Sequence, residues 1–215
     1  ADTTARLTLD AGTVQPWSAE IPALYDVLVT LSEPGGRKIE AIPLHTGFRE
    51  VKIEGGQLLV NGQPVLIKGA NRHEMDPDGG YVVSEERMIE DIRILKENNF
   101  NAVRTCHYPD DARWYALCDR YGLYLVAEAN LESHGMGYDE KTLAKNPAYA
   151  QAHLERNIRN VRRNINHPSV IIWSLGNEAG DGPNFDACYD WVKAYDPSRP
   201  VHYERAVYNN GGRNT

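Results

Sequence analysis

The chain has 215 residues, 41% hydrophobic and 25% charged, ordinary values for a folded protein that exclude disorder, collagen-like repeats and coiled coil. A formal net charge of −7 argues against broad binding to nucleic acid or anionic membrane, and no apolar run is long enough to span a bilayer. Three scattered cysteines, Cys106, Cys118 and Cys188, are too few for a disulfide framework or a structural zinc site.

The first fifty residues read as β structure. Tyr25, Val27, Val29 and Leu31 alternate along one face, residues 37–44 give a second strand, and Pro34-Gly35-Gly36 supplies the turn. This pattern predicts the closing hairpin of an immunoglobulin-like β-sandwich whose other strands lie upstream. A small hairpin follows, residues 58–60 and 63–66 around Asn61-Gly62, a pair that tolerates the positive φ of a type I′ turn.

From Val65 the pattern becomes strand, loop, helix, repeated. The expected strands are 65–67, 102–104, 123–126, 170–174 and 200–203. The expected helices are 84–99, with Met88, Ile89, Ile92 and Leu95 on one face, 110–121, with Trp114, Leu117, Cys118 and Tyr121 inward, 148–166, with Leu154, Ile158, Val161 and Ile165 aligned, and 185–195. Ser84 suits an N-cap and Gly122 a helix stop. Short apolar strands alternating with helices indicate an α/β fold with a parallel sheet buried on both faces.

A doubly wound sheet and a (β/α)8 TIM barrel both fit this alternation, and the polar residues favour the barrel. Each strand is followed by side chains that packing does not require: Arg72-His73-Glu74, His107-Tyr108, Glu132 and His134, Asn177-Glu178, Glu204. Strand ends converging on one mouth is how barrel enzymes build a site. A barrel needs eight units and this chain supplies about five, so it reads as a partial barrel, with residues 1–48 ending a sandwich domain and 49–215 opening a catalytic one. The first residues show neither an initiator Met nor a basic stretch before an apolar core, which also suggests excision from something longer.

The most informative segment is Ile171-Ile172-Trp173-Ser174-Leu175-Gly176-Asn177-Glu178, where an apolar strand delivers an amide and a carboxylate side by side. Asn can hold a hydroxyl while the adjacent Glu transfers a proton, which suits glycosidic bond cleavage. On spacing alone, the plainer reading is a loop Asn-Glu that caps the following helix. His73 and His107 could be satisfied polar residues at loop starts, Arg104 could pair with neighbouring carboxylates, and Glu132-x-His134 could be an exposed polar loop.

Residues 173–178 resemble the acid/base motif of glycoside hydrolase family 2. Asn71-Arg72-His73-Glu74, residues 99–104 with Cys106-His107-Tyr108-Pro109, and Cys118-Asp119-Arg120-Tyr121-Gly122-Leu123-Tyr124 resemble that family in the expected order. Residues 128–136, Glu-Ala-Asn-Leu-Glu-Ser-His-Gly-Met, resemble its β-galactosidases in particular. The resemblance runs from Trp17-Ser18-Ala19-Glu20 to Arg199-Pro200. It implies retaining hydrolysis of terminal β-D-galactosides, with Glu178 as general acid/base, Asn177 on the sugar 2-hydroxyl, and His73, His107 and Arg104 in the sugar pocket. It also implies a metal site, Glu132, His134 and Glu178, for Mg²⁺ or Mn²⁺; a monovalent cation site is not readable here. β-Glucuronidase, β-mannosidase and a non-catalytic sugar-binding barrel are the alternatives, and a phosphate-binding isomerase barrel is disfavoured by the acidic charge and the lack of a Gly-rich phosphate loop.

Metal and acid make opposing demands on Glu178, since a general acid needs a raised pKa and a divalent cation lowers it. The retaining mechanism also needs a nucleophilic Glu, for which no candidate appears; Glu204 matches the family's fifth strand and reads as pocket wall at most. Two departures stand out: Ala127 where the β-galactosidase pattern often has Asp, and Ala179 where Ser or another small residue follows Asn-Glu. The resemblance implies a homo-oligomeric parent, whereas this excerpt, inactive alone, is expected to self-associate through open strand edges. Neither nucleic acid nor membrane is an expected partner, and the unpaired cysteines favour the cytoplasm unless an upstream signal peptide directs export.

Overall fold

The structure is a computed structural model and describes residues 4–206. Strands β1 (Tyr25–Ser32) and β2 (Lys38–Thr46) pair antiparallel in a sheet of their own, and among the described residues no third strand joins them. Leu28, Leu31 and Ile39 lie more than half exposed on this ribbon. A three-stranded antiparallel sheet follows, β3 (Val51–Glu54), β4 (Gln57–Val60) and β5 (Gln63–Pro64). Asn61 takes φ 53° and Gly62 φ 76° at the turn between β4 and β5, as the Asn-Gly pair predicts.

The remaining strands form one parallel sheet. They are β6 (Gly69–Arg72), β7 (Ala102–Thr105), β8 (Tyr124–Glu128), β9 (Val170–Ser174) and β10 (Val201–His202), hydrogen-bonded in chain order. Helices α1 (Glu85–Glu97), α2 (Ala112–Tyr121), α3 (Ala150–Asn164) and α4 (Pro183–Tyr195) alternate with them. Five sequential parallel strands with four helices between them are four units and the opening strand of a fifth in a (β/α)8 barrel.

One expected strand is misplaced. The first barrel strand is residues 69–72, not the apolar run 65–67. Val65 still donates to Leu58 O at 2.9 Å as an extension of the small sheet, and Leu66 is 74% exposed. Gly69 suits β6 because a Cβ there would lie 3.0 Å from Ala102 O. Gly, Ala and Asn are weak strand formers, so close approach rather than propensity selects this segment.

Helix α1 begins at Ser84, whose hydroxyl accepts from Arg87 N, and buries Met88 and Ile92. Helix α2 is capped by Asp111 and stopped by Gly122 at φ 76°, where a Cβ would collide with Ala19 O. Tyr121, expected inward, is 37% exposed.

Helix α3 corrects the sequence reading more substantially. Its buried face is His153, Asn157, Asn160, Val161 and Asn164, while Leu154, Ile158 and Ile165 are half-buried. Amides replace apolar groups because this face meets strand-end carbonyls that need donors. Asn160 Nδ2 donates to Ala127 O at 3.2 Å and Asn157 Nδ2 to Leu175 O at 3.4 Å, while within the helix Asn164 Nδ2 donates to Asn160 Oδ1 at 2.9 Å.

The main core lies between sheet and helices around Met88, Trp114, Tyr115, Leu125, Trp173 and Phe185. A second cluster, Trp17, Ala19, Val51, Val60, Ala102, Tyr124 and Ile171, closes the end where the strands begin. Trp17 anchors it, donating from Nε1 to Asp119 O at 2.8 Å. The opposite, C-terminal end of the sheet is left for polar groups.

Candidate active site

Strand β9 ends in a backbone that only glycine permits. A Cβ on Gly176 would lie 2.6 Å from Leu131 O, and the resulting close approach lets Asn177 N donate to that carbonyl at 2.8 Å. Asn177 and Glu132 thereby form a parallel bridge beyond the regular ends of β9 and β8. Glu178 then adopts φ 41°, a left-handed conformation uncommon for a side-chain-bearing residue. Its backbone N–H is held by Glu204 Oε1 at 2.7 Å. Tyr203 supports the following turn, its hydroxyl donating to Gly180 O and accepting from Ala179 N, with its ring stacked on Phe185.

These constraints aim the Glu178 carboxylate at two groups. Its Oε2 lies 4.0 Å from His134 Nδ1, and its Oε1 lies 3.4 Å from Arg205 Nη2. His134 Nδ1 is also 3.8 Å from Glu132 Oε1. One ligand atom from each of Glu132, His134 and Glu178 falls within 4.8 Å of the others. Two carboxylates and one imidazole facing a solvent-open edge fit a hard divalent cation that keeps several waters, so the donor set passes the chemical test for Mg²⁺ or Mn²⁺.

From Asn177 a hydrogen-bonded chain crosses the mouth. Asn177 Nδ2 donates to Glu132 Oε1 at 2.9 Å, and Arg104 Nη2 donates to Asn177 Oδ1 at 2.8 Å. Arg104 Nε donates to Glu128 Oε2 at 2.7 Å, while Glu128 Oε1 faces His107 Nδ1 at 2.7 Å. The His73 ring stands edge-on to His107 with centroids 5.4 Å apart, and its Nδ1 is 3.3 Å from the Tyr108 hydroxyl. Every site residue expected from the sequence therefore sits at the C-terminal ends of β6 to β9.

Glu128 is the residue that sequence reasoning missed. It is fully buried at the end of β8 and also accepts from Ser174 Oγ at 2.6 Å. With the Glu128 oxygen as acceptor, His107 donates from Nδ1, and in a neutral ring Nε2 is then the nitrogen left to accept from a substrate hydroxyl. The available signal was a charged residue closing an apolar strand, which burial should exclude unless partners were waiting. Ala127 beside it is also fully buried, and its backbone carbonyl accepts from Asn160 Nδ2.

Glu204 does more than line a wall. It fixes the Glu178 backbone and pairs with Arg205 Nε at 3.2 Å. Trp173 is a core residue, buried with its Nε1 donating to Asp196 Oδ2 at 2.7 Å. Behind the site, Arg72 packs over Trp114 and reaches Asp110 Oδ2 at 2.8 Å and Asp91 Oδ2 at 3.1 Å. Burial, with Glu74 adding to it, pushes the Asp110 carboxyl up to about 7 against the opposing pull of Arg72. Burial likewise pushes the Cys106 thiol up to about 11.

A partial barrel with an adjacent Asn-Glu pair and a web of carboxylates, arginine and histidines at its C-terminal mouth is the arrangement in which barrel enzymes build their sites. The sequence relationships are narrower. Residues 51–212 match the model of the glycosyl hydrolases family 2 TIM barrel domain, and residues 1–49 match that of a second glycosyl hydrolases family 2 domain. The chain belongs to glycosyl hydrolase family 2. It is 52% identical over 197 residues to a β-galactosidase of Alteromonas mediterranea, an alignment covering 92% of this chain and 19% of that protein. It thus spans about a fifth of that relative's length.

Among solved structures it is similar to a β-D-glucuronidase of Dictyoglomus thermophilum, with TM-score 0.78 and 30% identity over 88% of this chain and 34% of that one. A family 2 β-galacturonidase of Eisenbergiella tayi gives TM-score 0.74 and 31% identity, with the same coverage of each chain.

Proposed function

We propose that the complete polypeptide carrying this sequence hydrolyses terminal β-D-galactosides with retention of configuration. The observation that carries the reading is the Glu178 carboxylate, aimed by a left-handed backbone and adjoining Asn177, at one end of a polar chain that reaches His107 and His73. The 52% identity to a β-galactosidase supports galactose as the sugar.

In this account Glu178 protonates the departing glycosidic oxygen and then takes a proton from the incoming water. Asn177, oriented by Arg104 at its carbonyl and Glu132 at its amide, holds the sugar 2-hydroxyl, a contact that tightens as the oxocarbenium-like transition state forms. His107 accepts a galactosyl hydroxyl through Nε2, and exposed His73 takes a neighbouring hydroxyl. Glu132, His134 and Glu178 would hold Mg²⁺ or Mn²⁺, which would supply positive charge next to the acid/base carboxylate. The carboxylates around Glu178 are otherwise committed: Glu128 to Arg104, His107 and Ser174, Glu204 to the Glu178 backbone and Arg205. The nucleophile is therefore expected from another part of the polypeptide, and the 215-residue chain alone should be inactive.

The test is a substrate comparison on the complete polypeptide, p-nitrophenyl β-D-galactoside against the matching β-D-glucuronide and β-D-mannoside, with proton NMR of the first-formed sugar anomer. The proposal expects preferred galactoside turnover and β-galactose as first product. Preference for the glucuronide, or α-galactose first, would refute it.

A further inference from the structure

We propose that His73, Cys106 and His107 form a second metal site, suited to a soft divalent cation such as Zn²⁺, whose occupation closes the sugar pocket. One ligand atom of each residue lies within 4.8 Å of the others. Tetrahedral Zn²⁺ with two nitrogens and one sulfur holds its ligand atoms roughly 3.5 Å apart, so the three need draw in by no more than about 1.3 Å. His73 is exposed and edge-on to His107, which makes it the side chain able to supply that movement.

The surroundings already resemble a metal's outer shell. His107 Nδ1 is bound by the buried Glu128 carboxylate, and His73 Nδ1 lies against the Tyr108 hydroxyl, so each ring is oriented and presents Nε2. A carboxylate behind a ligating imidazole fixes its tautomer and raises its basicity. Cys106 is 1% exposed, His107 half-buried and His73 exposed, so the cluster runs from the interior to the solvent side. On binding, the S–H bond breaks, a sulfur–metal bond forms, and the proton leaves to solvent with no change of oxidation state.

Ligand chemistry separates this set from the Glu132–His134–Glu178 set. Two imidazoles and a thiolate suit Zn²⁺ and exclude Mg²⁺ and Ca²⁺, whereas carboxylates with one imidazole also accept the hard cations Mg²⁺ and Mn²⁺. Three protein ligands leave one tetrahedral position for water. The same imidazoles are assigned to galactosyl hydroxyls, so ion and sugar should exclude one another. That consequence rests on the proposed function; the metal site itself does not.

The experiment uses the complete polypeptide saturated with Mg²⁺ and titrated with Co²⁺, whose thiolate complexes give a near-ultraviolet charge-transfer band. The proposal expects one equivalent of Co²⁺ to produce the band and Zn²⁺ to erase it. Cys106→Ser should abolish the band. His73→Asn, a change at an exposed side chain, should retain it but weaken Zn²⁺ binding by about tenfold or more, since even outer-shell partners are worth 10–100-fold. No band at millimolar Co²⁺, a band persisting in Cys106→Ser, or unchanged Zn²⁺ affinity in His73→Asn would overturn the site. If the band behaves as expected but galactose fails to displace the metal, the metal site stands and the sugar assignment of the histidines fails.

Discussion

Replacing Glu128 with glutamine tests how the mouth is wired. The carboxylate is fully buried and receives Arg104 Nε at 2.7 Å, His107 Nδ1 at 2.7 Å and Ser174 Oγ at 2.6 Å. Glutamine keeps the shape but removes the charge and turns one acceptor into a donor facing a donor. Breaking one side of a buried ion pair costs about 3–5 kcal/mol, because the remaining charge stays buried without compensation. Arg104 is itself 19% exposed at its side chain, which places the cost near the lower figure. About 3 kcal/mol corresponds to a melting temperature lower by roughly 10 °C in a domain of this size.

If the same loss falls on substrate contacts, kcat/KM drops about 100-fold. A histidine NMR measurement separates positioning from mere stability: the His107 tautomer with the proton on Nδ1 should be lost in Glu128→Gln. Unchanged tautomer and unchanged kcat/KM, at a temperature where the variant is folded, would refute the assignment.

Three further expectations follow from other contacts. Asp110 carries a folded pKa of about 7 against an unfolded value near 4, so its stabilising contribution is full below pH ~4 and is lost as pH rises through ~7. Denaturant titrations between pH 4 and 7 should show wild type losing stability relative to Asp110→Asn; parallel curves would contradict this. Glu204→Ala removes the acceptor at Glu178 N, and loss of a charge-assisted hydrogen bond worth about 1.5–3 kcal/mol should lower kcat by roughly 10–100-fold with KM little changed. An unaltered kcat would remove Glu204 from the account. The 215-residue chain alone should self-associate through the β6 edge and the exposed Leu28, Leu31 and Ile39; a monodisperse monomer in sedimentation velocity at micromolar concentration would contradict that.

What the sequence disclosed depends on where packing is uniform. Strands β8 and β9 are mainly apolar runs buried on both faces, and β7 opens with buried Ala102 and Val103 before Arg104; such runs are readable without tertiary knowledge. Strand β6 is not, because Gly69 and Ala70 are there for close approach to β7, while the more hydrophobic residues 65–67 are the ones left out. Helix α3 shows the same limit: its periodic apolar residues flank the contact, and its asparagines make it, since strand-end carbonyls require donors.

Within the site, residues on one strand end were legible as a group, and the family resemblance supplied their roles. Glu128 and Glu204 were not legible as functional, because each acts through another residue and nothing in local spacing reveals such a partner. The left-handed backbone at Glu178 has no sequence signal either, as glycine or asparagine would ordinarily mark it.

The central claim is that the Glu178 carboxyl delivers the proton to the leaving oxygen. It is tested most directly by Glu178→Ala in the complete polypeptide, assayed on aryl galactosides with good and poor leaving groups, with and without azide. The account predicts a far larger loss for the poor leaving group, which needs the proton, and azide rescue yielding β-galactosyl azide. Equal losses for both leaving groups, with no azide product, would contradict it.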